Sequence, residues 1–492
     1  MKPFRLAAGA ALSLLLMHAH AHADHGQFYQ TKTPYAPQQD SASYQPAPAG
    51  YTAVYTELLA RHGSRGLSSF KTDLALYNLW QLAQQQDALT PLGRQLGADL
   101  EAMMKANALL GYGVDGISKP GYGNETLQGV REHTGLAQRL HARLPALFRD
   151  AQAQQRRIVV LSSGKDRAVD SAAYFSGALA AAQPGLAALI DTGTDRTTLY
   201  FHKLNARQDG QVPPATLAYQ RWDSSDELAA RKAAIYAQPQ LHAAALTTLG
   251  ALFQPAFIAA LDQGRIRAVN HGTRSYTSAD GKFTNRLSGD GDTTIASATG
   301  AALALYELYA AAADLEAELQ AERRVDFRQY IAPAQARVYA ETEDAVAFYE
   351  KGPGIAENGD VTWRMADKLL ADFFAEADAI DSGKRAHAAK LRFAHAEIVI
   401  PLASALGLAG MSEQLPRAAT YSYANSRWRG AQVAPMAANI AWDLYQNRAG
   451  RTLVRMLYNE RETAFKPACD GARIAAHSFY YDYRQLKRCY QP

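Results

Sequence analysis

The stretch "RRIVVLSSGKDRAVDSAAYFSGAL", residues 156–179, passes from an apolar strand pattern through a polar turn into an amphipathic helical pattern. The same order recurs in "KLRFAHAEIVIPLASALGL", residues 390–408. Residues 53–60, whose composition suits a strand, likewise enter the polar turn of "YTELLARHGSRGLSSF", residues 55–70. Strands that alternate with helices predict a mainly parallel sheet with helices on both faces. The sequence therefore predicts the α/β fold class.

The composition changes along the chain and predicts a second domain inserted in the first. Between 183 and 324, Ala- and Leu-rich helical runs such as 228–263 and 293–322 dominate, with little that resembles a buried strand. The apolar run 453–458 adds one more strand after this helical cap. The predicted segments are a signal peptide at 1–23, an extended N-terminal arm at 24–50, the first part of the α/β domain at 51–182, the inserted α-helical domain at 183–324 and the second part of the α/β domain at 325–492.

The first residues have the pattern of a secretory signal peptide. Lys2 and Arg5 give the charged end, residues 6–17 the apolar stretch, and Ala21 and Ala23 the small-residue cleavage site. The apolar stretch is too short to span a membrane, and no later segment has an uninterrupted apolar run of about 20 residues. We therefore expect cleavage after Ala23 and a periplasmic or secreted protein with no membrane partner.

Cys469 and Cys489 are the two cysteines of the chain. An exported protein meets an oxidising compartment, which favours a single disulfide between them, with two free thiols as the alternative. In the chain-entropy model, closing a loop of about 20 residues stabilises a fold by about 3 kcal/mol.

The charge of the chain argues against one class of partner. With 51 Lys and Arg against 47 Asp and Glu, the formal net charge is +4, which is far from the strongly basic balance of nucleic-acid-binding proteins. We expect a small-molecule substrate, no nucleic acid and a monomer. The alternating His18, His20, His22 and His25 resemble a metal tract, but three of them leave with the signal peptide. We therefore expect no metal and no cofactor.

Three strand-to-helix turns carry the unusual polar residues of the chain. Ligands of parallel sheets bind at the carboxyl ends of the strands, which lie on one edge. If the three strands share one parallel sheet, the side chains of the three turns converge. These side chains are Arg61, His62 and Arg65 in the first turn, Arg167 in the second, and His395 and Glu397 in the third.

Such a cluster has the chemistry of phosphoryl transfer. Three guanidiniums can bind phosphate oxygens in pairs and neutralise the charge that spreads in the transition state. A neutral histidine can attack phosphorus when a backbone carbonyl holds its second nitrogen, and no metal is needed. Glu397 is the acid nearest to His395 and could protonate the leaving alkoxide.

The proton-donor role of Glu397 carries a conflict. A glutamate in the first turn of a helix and near arginines should have a lowered pKa, which suits a base better than a donor. A polyanionic substrate would raise that pKa again. The sequence therefore predicts an acidic rate optimum.

Two motifs resemble a known family. The sequence "RHGSR" at 61–65 resembles the signature of the branch-two histidine phosphatases, and "HAE" at 395–397 resembles the proton-donor motif of the multiple inositol polyphosphate phosphatases. Seven further segments agree with that family in the same order. They are "TKTPY" (31–35), "LTPLG" (89–93), "REH" (131–133), "SSGKDRAVDSAAYF" (162–175), "YEKGPG" (349–354), "FAHAEIVIPLASALG" (393–407) and "LYNERE" (457–462).

The resemblance implies a fold and a set of roles. It implies an α/β domain with a helical insertion, and hydrolysis of myo-inositol hexakisphosphate and lower inositol polyphosphates without metal. His62 would be the nucleophile and Glu397 the proton donor. The phosphate pocket would consist of Arg61, Arg65, Arg167 and His395. One departure is clear, because Leu67 stands where the family motif has proline.

Lys71, Lys165 and Lys203 could contact outer phosphates of such a substrate, the alternative being that they are solvated surface lysines. Three functions agree with the sequence. The first is an exported inositol polyphosphate phosphatase. The second is a phosphatase of the same chemistry that acts on sugar phosphates or general monoesters. The third is a non-catalytic phosphate-binding protein, in which His62 and Glu397 would be dispensable.

Overall fold

The computed structural model describes residues 28–491, and the predicted signal peptide at 1–23 lies outside them. An eight-stranded mixed sheet forms the centre of the described part, in the order β11-β10-β9-β1-β8-β2-β3, with β12 paired to β10. Two ribbons, β4 with β7 and β5 with β6, lie apart from it. The strands are β1 Tyr51–Arg61, β2 Arg157–Ser162, β3 Ile190–Thr194, β4 Ala268–Val269, β5 Thr273–Thr277, β6 Thr284–Ser288, β7 Thr294–Ile295, β8 His387–Ala394, β9 Asn439–Asn447, β10 Thr452–Tyr458, β11 Arg461–Thr463 and β12 Tyr480–Asp482.

The parallel half of the sheet places the three predicted turns side by side. Strand β8 pairs parallel with both β1 and β2, and β3 extends the parallel set beyond β2. In this register Arg61 lies opposite Ala394, and Ser162 lies opposite Phe393. The three strands therefore end at the same level, and the polar residues that follow them meet at one edge. This confirms the predicted fold class.

The antiparallel half contains a strand that the sequence pattern did not reveal. The predicted strand at 453–458 is β10, and it pairs with β9, which in turn pairs antiparallel with β1. An aspartate, Asp443, interrupts the apolar pattern of β9 although it is fully buried. Arg143 and Arg455 bind this carboxylate at 3.0 Å. The arginines come from distant segments, so the local sequence gives no sign of them.

Helices cover the sheet and build a second layer. The helices are α1 Thr72–Gln85, α2 Pro91–Ala108, α3 Leu127–Arg143, α4 Pro145–Gln154, α5 Asp166–Ala182, α6 Arg196–Leu199, α7 Ala206–Asp209, α8 Pro214–Asp223, α9 Asp226–Tyr236, α10 Pro239–Gly250, α11 Pro255–Asp262, α12 Ala298–Asp314, α13 Glu316–Glu322, α14 Pro333–Glu350, α15 Asp367–Asp381, α16 Ala396–Ala405, α17 Gly430–Val433 and α18 Tyr483–Tyr490.

Proline divides the helical run predicted at 228–263 into three helices. Helix α9 ends before Pro239, which is the first residue of α10, and Pro255 is the first residue of α11. Proline has no N–H to donate and disfavours helical backbone in the residue before it, so it begins a helix more readily than it continues one.

The helical layer draws on more of the chain than the predicted insertion. Apolar residues of α1 and α2 share one hydrophobic core with those of α10, α12 and α14, for example Leu76, Leu96 and Leu305. In addition, β3 lies beyond residue 183 and yet pairs with β2 in the large sheet. The division at residue 183 therefore does not separate the sheet from the helices, because burial of the apolar faces of α1 and α2 requires the later helices.

The described part of the N-terminal arm is fastened across the sheet domain. The backbone N–H of Tyr35 donates to Glu132 at 2.8 Å, and its hydroxyl donates to Glu460 at 2.8 Å. The carbonyl of Thr31 accepts from the guanidinium of Arg61. The arm therefore contributes backbone directly beside the predicted site.

The predicted disulfide is confirmed. Cys469 and Cys489 are bonded, with their Cα atoms 5.7 Å apart and a sequence separation of 20. The bridge joins a short turn at Pro467–Ala472 to α18.

Candidate active site

His62 follows the last residue of β1 and is almost completely buried, with 3% of its surface exposed. Its backbone N–H donates to the carbonyl of Ala394 in β8 at 2.9 Å. Nδ1 lies 2.9 Å from the carbonyl oxygen of Gly63, which can only accept a hydrogen bond. Burial, followed by the positive charges of Arg167 and Arg61, lowers the pKa of His62 well below its usual range. The ring is therefore neutral, with its proton on Nδ1 and a lone pair on Nε2.

Two buried glutamates hold the backbone that follows His62. Glu125 accepts from the N–H of Gly63 at 3.1 Å. Glu132 accepts from the N–H of Ser64 at 2.7 Å and from its hydroxyl at 2.8 Å. These contacts fix the loop that carries the Nδ1 acceptor of His62.

Gly63 is required at its position by a close approach of backbone. A Cβ atom there would lie 2.6 Å from the Cα and 2.8 Å from the carbonyl oxygen of Gly129 in α3. Both distances are shorter than real Cβ contacts, and the atoms concerned belong to helix backbone. A side chain at Gly63 would therefore displace either the loop or α3.

Arg61 points into the site from the end of β1. It is 4% exposed, and its Nη1 donates to the carbonyls of Ala434, at 2.6 Å, and Thr31. Burial, followed by the positive charge of Arg65, lowers the pKa of Arg61 to about 10. The guanidinium therefore remains charged at neutral pH, in a fixed orientation.

Arg65 and Arg167 complete a group of three guanidiniums. Arg65 donates from Nη1 to the carbonyl of Gly66 at 2.7 Å, and Arg167 projects from the first turn of α5. Burial, followed by the charge of Arg65, lowers the pKa of Arg167 to about 10. The Nε groups of all three arginines are buried without a hydrogen-bond partner among the described residues. A phosphoryl group would offer them acceptors and relieve their mutual repulsion.

Two buried carboxyl groups, those of Glu125 and Asp314, do little to cancel this positive charge. Burial raises the pKa of Glu125 well above its usual range. Burial and the neighbouring Glu132 do the same for Asp314, at the end of α12. Because buried carboxyls with raised pKa values favour the neutral form, the site keeps a positive charge suited to an anion.

His395 is the N-terminal capping residue of α16 and is 1% exposed. Nη2 of Arg167 lies 3.3 Å from its Nδ1, and Oγ of Ser163 lies 2.8 Å from its Nε2. An arginine can only donate, so Nδ1 accepts and Nε2 carries the proton. Burial, followed by Arg167, lowers the pKa of His395 well below its usual range. The ring of His62 lies beside it, with 5.4 Å between the ring centroids.

Glu397 lies in the first turn of α16, with its Oε1 3.1 Å from Nζ of Lys351. Burial alone would raise the pKa of Glu397, but the opposing charge of Lys351, with smaller contributions from His202 and His395, lowers it well below its usual range. The conflict expected from the sequence is therefore present, although a lysine rather than an arginine is its main cause.

The three lysines predicted to contact outer phosphates differ in their surroundings. Nζ of Lys71 lies 2.6 Å from Asp290 and 3.2 Å from Asp292. Two exposed carboxylates therefore pair with it, and they would compete with a phosphate for its ammonium. Nζ of Lys165 lies 5.2 Å from the centroid of the Tyr200 ring. Lys203 is exposed.

Tyr200 in turn connects Lys165 to the site. Its ring centroid lies 5.4 Å from that of His395. Of the three lysines, Lys165 is therefore the one with a described contact to the site.

Several residues that shape the site were not predicted from the sequence. Glu125 gave no signal of its own, and Glu132, Ser163 and Lys351 lay inside quoted segments without a role. His202 is buried beside His395, with 6.4 Å between the ring centroids, although only its exposed neighbour Lys203 was selected. These residues reach the site through tertiary contacts.

Within residues 28–491, no three or more His, Cys, Asp or Glu side chains are grouped so that they could hold a metal ion. In the same part of the chain, no helix has both the length and the apolar character needed to cross a membrane.

Comparison with known proteins agrees with this geometry. The model of the histidine phosphatase superfamily (branch 2) matches residues 55–459. The chain therefore belongs to branch 2 of the histidine phosphatase superfamily.

Solved structures identify more specific relatives. The chain is 32% identical to the multiple inositol polyphosphate phosphatase of Bifidobacterium longum, and the match covers 94% of this chain and 97% of that one. Its crystal structures with inositol hexasulfate and with phosphate give TM-scores of 0.82 and 0.83. The predicted family resemblance is thereby confirmed.

Two further relatives are more distant or match less of the chain. Multiple inositol polyphosphate phosphatase 1 of Dictyostelium discoideum is 32% identical over 103 residues, which span 20% of this chain and 15% of that protein. The phytase from D. castellii shares the fold, with a TM-score of 0.60 at 14% identity over 94% of this chain and 84% of that one.

Proposed function

We propose that this protein is an exported phosphatase that hydrolyses phosphomonoesters of myo-inositol hexakisphosphate and lower inositol polyphosphates. The observation that carries the proposal is the convergence of three guanidiniums on one neutral, buried imidazole. The similarity to an enzyme crystallised with inositol hexasulfate supports this substrate class, because six sulfate esters on an inositol ring resemble six phosphate esters in shape and in the sign of their charge.

In the first step, Nε2 of His62 attacks phosphorus, and a P–N bond forms as the P–O bond to the inositol breaks. The orientation of the ring supports this role, because Gly63 holds the Nδ1 proton and leaves the lone pair on Nε2. Arg61, Arg65 and Arg167 bind the phosphoryl oxygens, and His395 lines the pocket beside them, where its Nδ1 accepts from Arg167 and orients that guanidinium. The carboxyl group of Glu397 gives its proton to the leaving oxygen.

In the second step, water attacks the phosphohistidine, an O–P bond forms and the P–N bond breaks. Glu397, now a carboxylate, takes a proton from the water, so that the acid of the first step is the base of the second. The balance is one phosphomonoester and one water converted into one alcohol and one phosphate. No step requires a cofactor or a metal from the protein.

The acidic optimum follows from the state of Glu397. Only the protonated carboxyl can donate in the first step, so the rate falls as pH rises through the pKa of Glu397. Because Lys351 lowers that pKa, the fall begins at acidic pH unless the bound polyanion raises the pKa again. A rate that continued to climb above neutral pH would contradict Glu397 as the donor.

We also propose that the protein is exported to the periplasm or secreted, with residues 1–23 as its signal peptide, and that it acts as a monomer. The bond between Cys469 and Cys489 supports export, because disulfides persist in oxidising compartments. Lys165 and Lys203 are the cations that we propose for outer phosphates.

The decisive experiment measures phosphate release from inositol hexakisphosphate by residues 24–492 with a chelator present. We expect activity that His62→Ala reduces by at least about 10³-fold, since it removes the nucleophile. Faster turnover of sugar phosphates would favour the broader phosphatase. Equal activity of wild type and His62→Ala would exclude the covalent mechanism, and loss on chelation would exclude a metal-free one.

A further inference from the structure

Lys351 is the first residue after α14, and the end of that helix determines where it lies. Its backbone N–H donates to the carbonyl of Ala347 at 3.0 Å. The next residue, Gly352, passes so close that a Cβ atom there would lie 2.8 Å from the Cα of Phe348. The chain therefore turns sharply at this point, with the lysine side chain 18% exposed and its ammonium against Glu397.

Among the described residues, one carboxylate lies close to the ammonium of Lys351. Nζ lies 3.1 Å from Oε1 of Glu397, whereas the adjacent acid, Glu350, pairs with Lys232 at 3.5 Å. The two acids at this corner thus have separate lysines. Lys232 offers a matched comparison, because its partner Glu350 lies outside the arginine cluster.

The remaining charged or titratable groups that face Glu397 come from other elements or from the cap of α16. They are His202, His395, Arg61, Arg167 and Tyr219.

Of these groups, the two imidazoles do not supply a permanent charge. Burial lowers the pKa of His202 to about 4 and that of His395 well below its usual range. Both rings are therefore neutral above moderately acidic pH. The two arginines are charged, but no hydrogen bond joins either of them to Glu397 among the described contacts. Lys351 is thus the cation in direct contact with the carboxylate.

We propose that Lys351 is a positioning residue that keeps Glu397 ionised between turnovers and thereby sets the pH range in which Glu397 can donate a proton. This inference rests on the proposed function. The lysine favours the base form of Glu397 needed in the second step and opposes the acid form needed in the first. A bound polyanion competes with Glu397 for the ammonium, which allows Glu397 to take up a proton when substrate is present.

The test compares pH profiles of kcat/KM on inositol hexakisphosphate for wild type and Lys351→Met. The acidic-to-neutral fall in kcat/KM reports the free-enzyme pKa of the donor. Removing an opposite charge at this distance raises a carboxyl pKa by about one to two units. We therefore expect the fall to move to higher pH by about that amount. The same substrate is used throughout, so its own ionisations cancel in the comparison.

Three variants serve as controls. Lys351→Arg keeps a cation and should keep the wild-type profile, whereas Lys351→Gln should repeat the shift if Lys351→Met fails to fold. Lys232→Met removes the neighbouring lysine and should leave the profile unchanged. An unshifted profile for both neutral variants would overturn the inference, whether or not KM rises. A raised KM alone would make Lys351 a phosphate ligand.

A second measurement separates this inference from the proposed function. Rapid acid-free quenching with radiolabelled substrate traps the phosphohistidine. In Lys351→Met, Glu397 is protonated over a wider pH range, so the second step slows and the intermediate accumulates more than in wild type. Absence of label from wild type under every condition, together with full activity in His62→Ala, would defeat the proposed function. Equal labelling in wild type and Lys351→Met would defeat only the role of Lys351.

Discussion

The hydroxyl of Ser163 lies 2.8 Å from Nε2 of His395, and with Arg167 on the opposite nitrogen it decides where the ring carries its proton. Ser163 follows the end of β2 and His395 follows the end of β8, so the parallel pairing of these strands creates the contact. The tautomer of His395 is thus a property of the sheet edge.

Ser163→Ala should impair catalysis more than folding. The variant leaves the Nε2 proton of His395 without its acceptor, and an unsatisfied buried donor costs about 1 to 3 kcal/mol. We expect kcat/KM to fall by roughly 2- to 10-fold if about half of that cost appears in the transition state. Steady-state kinetics check this. Ser162→Ala is the matched control, because its hydroxyl accepts from Gly164 and does not contact His395.

Glu132→Gln should destabilise the protein and slow the enzyme. Glu132 accepts hydrogen bonds from the N–H groups of Tyr35 and Ser64 on its two different oxygens, and an amide nitrogen in place of one oxygen cannot accept the bond made there. We expect the free energy of unfolding to fall by about 2 to 3 kcal/mol, measured by urea denaturation. Gln128→Ala removes only a 3.3 Å contact to the same carboxylate and should change little. Equal losses in the two variants would contradict the loop-holding role.

Gly63→Ala should lower activity severely, because the added Cβ would meet the backbone of Gly129. The loop that carries His62 must then move, and displacement of a nucleophile by about 1 Å costs about 10²-fold in rate. Gly177→Ala in α5 is the control, since a Cβ there has open space. It should stabilise the protein by about 0.5 to 1 kcal/mol. Thermal unfolding and phosphate release distinguish the two effects.

Asp443→Asn should lower the free energy of unfolding by about 3 to 5 kcal/mol, because the side chains of Arg143 and Arg455 lose the anion that they share. Although burial opposes it, the pairing with Arg143 and Arg455 lowers the pKa of Asp443 in the folded protein. The group therefore contributes stability that is fully present above its unfolded pKa of about 3.9 and is lost as pH falls through the lower folded value.

Urea unfolding between neutral and strongly acidic pH checks this sign for Asp443. The difference in stability between wild type and Asp443→Asn should narrow as pH falls below about 4. A difference that widened in acid would contradict the assignment.

Replacing both cysteines, as Cys469→Ser with Cys489→Ser, should lower the free energy of unfolding by about 3 kcal/mol. The bridge joins a short turn to α18 and touches none of the proposed catalytic residues. We therefore expect kcat and KM to stay at wild-type values at low temperature. Loss of activity without loss of stability would contradict this separation.

Much of the site followed from local sequence. Strand, polar turn and helix occurred in that order in three places, and parallel pairing brought the three turns to one edge. The predicted disulfide also followed from two cysteines in a chain whose first residues predict export. Helix boundaries were less accurate, since Pro239 and Pro255 divide what hydrophobic periodicity joins.

Other features depended on contacts that no local pattern encodes. In the sequence, Asp443 interrupts the apolar pattern of a strand. In the structure, two arginines from distant segments pair with its carboxylate inside the fold. From the sequence, Lys71 is a cation with no known partner, whereas in the structure its ammonium pairs with Asp290 and Asp292. In both cases the electrostatic surroundings of a residue depend on partners that are distant in the sequence.

The sequence by itself determined which chemical groups the protein has and the order of strand, turn and helix that carries them, because hydrophobic periodicity and turn residues act over a few positions. Only the tertiary structure decided their protonation and pairing. Lys351 and Glu397 are far apart in the chain but 3.1 Å apart in space. Electrostatic energy depends on distance in space and on burial, so the cation that holds Glu397 ionised could be identified only once the chain was folded.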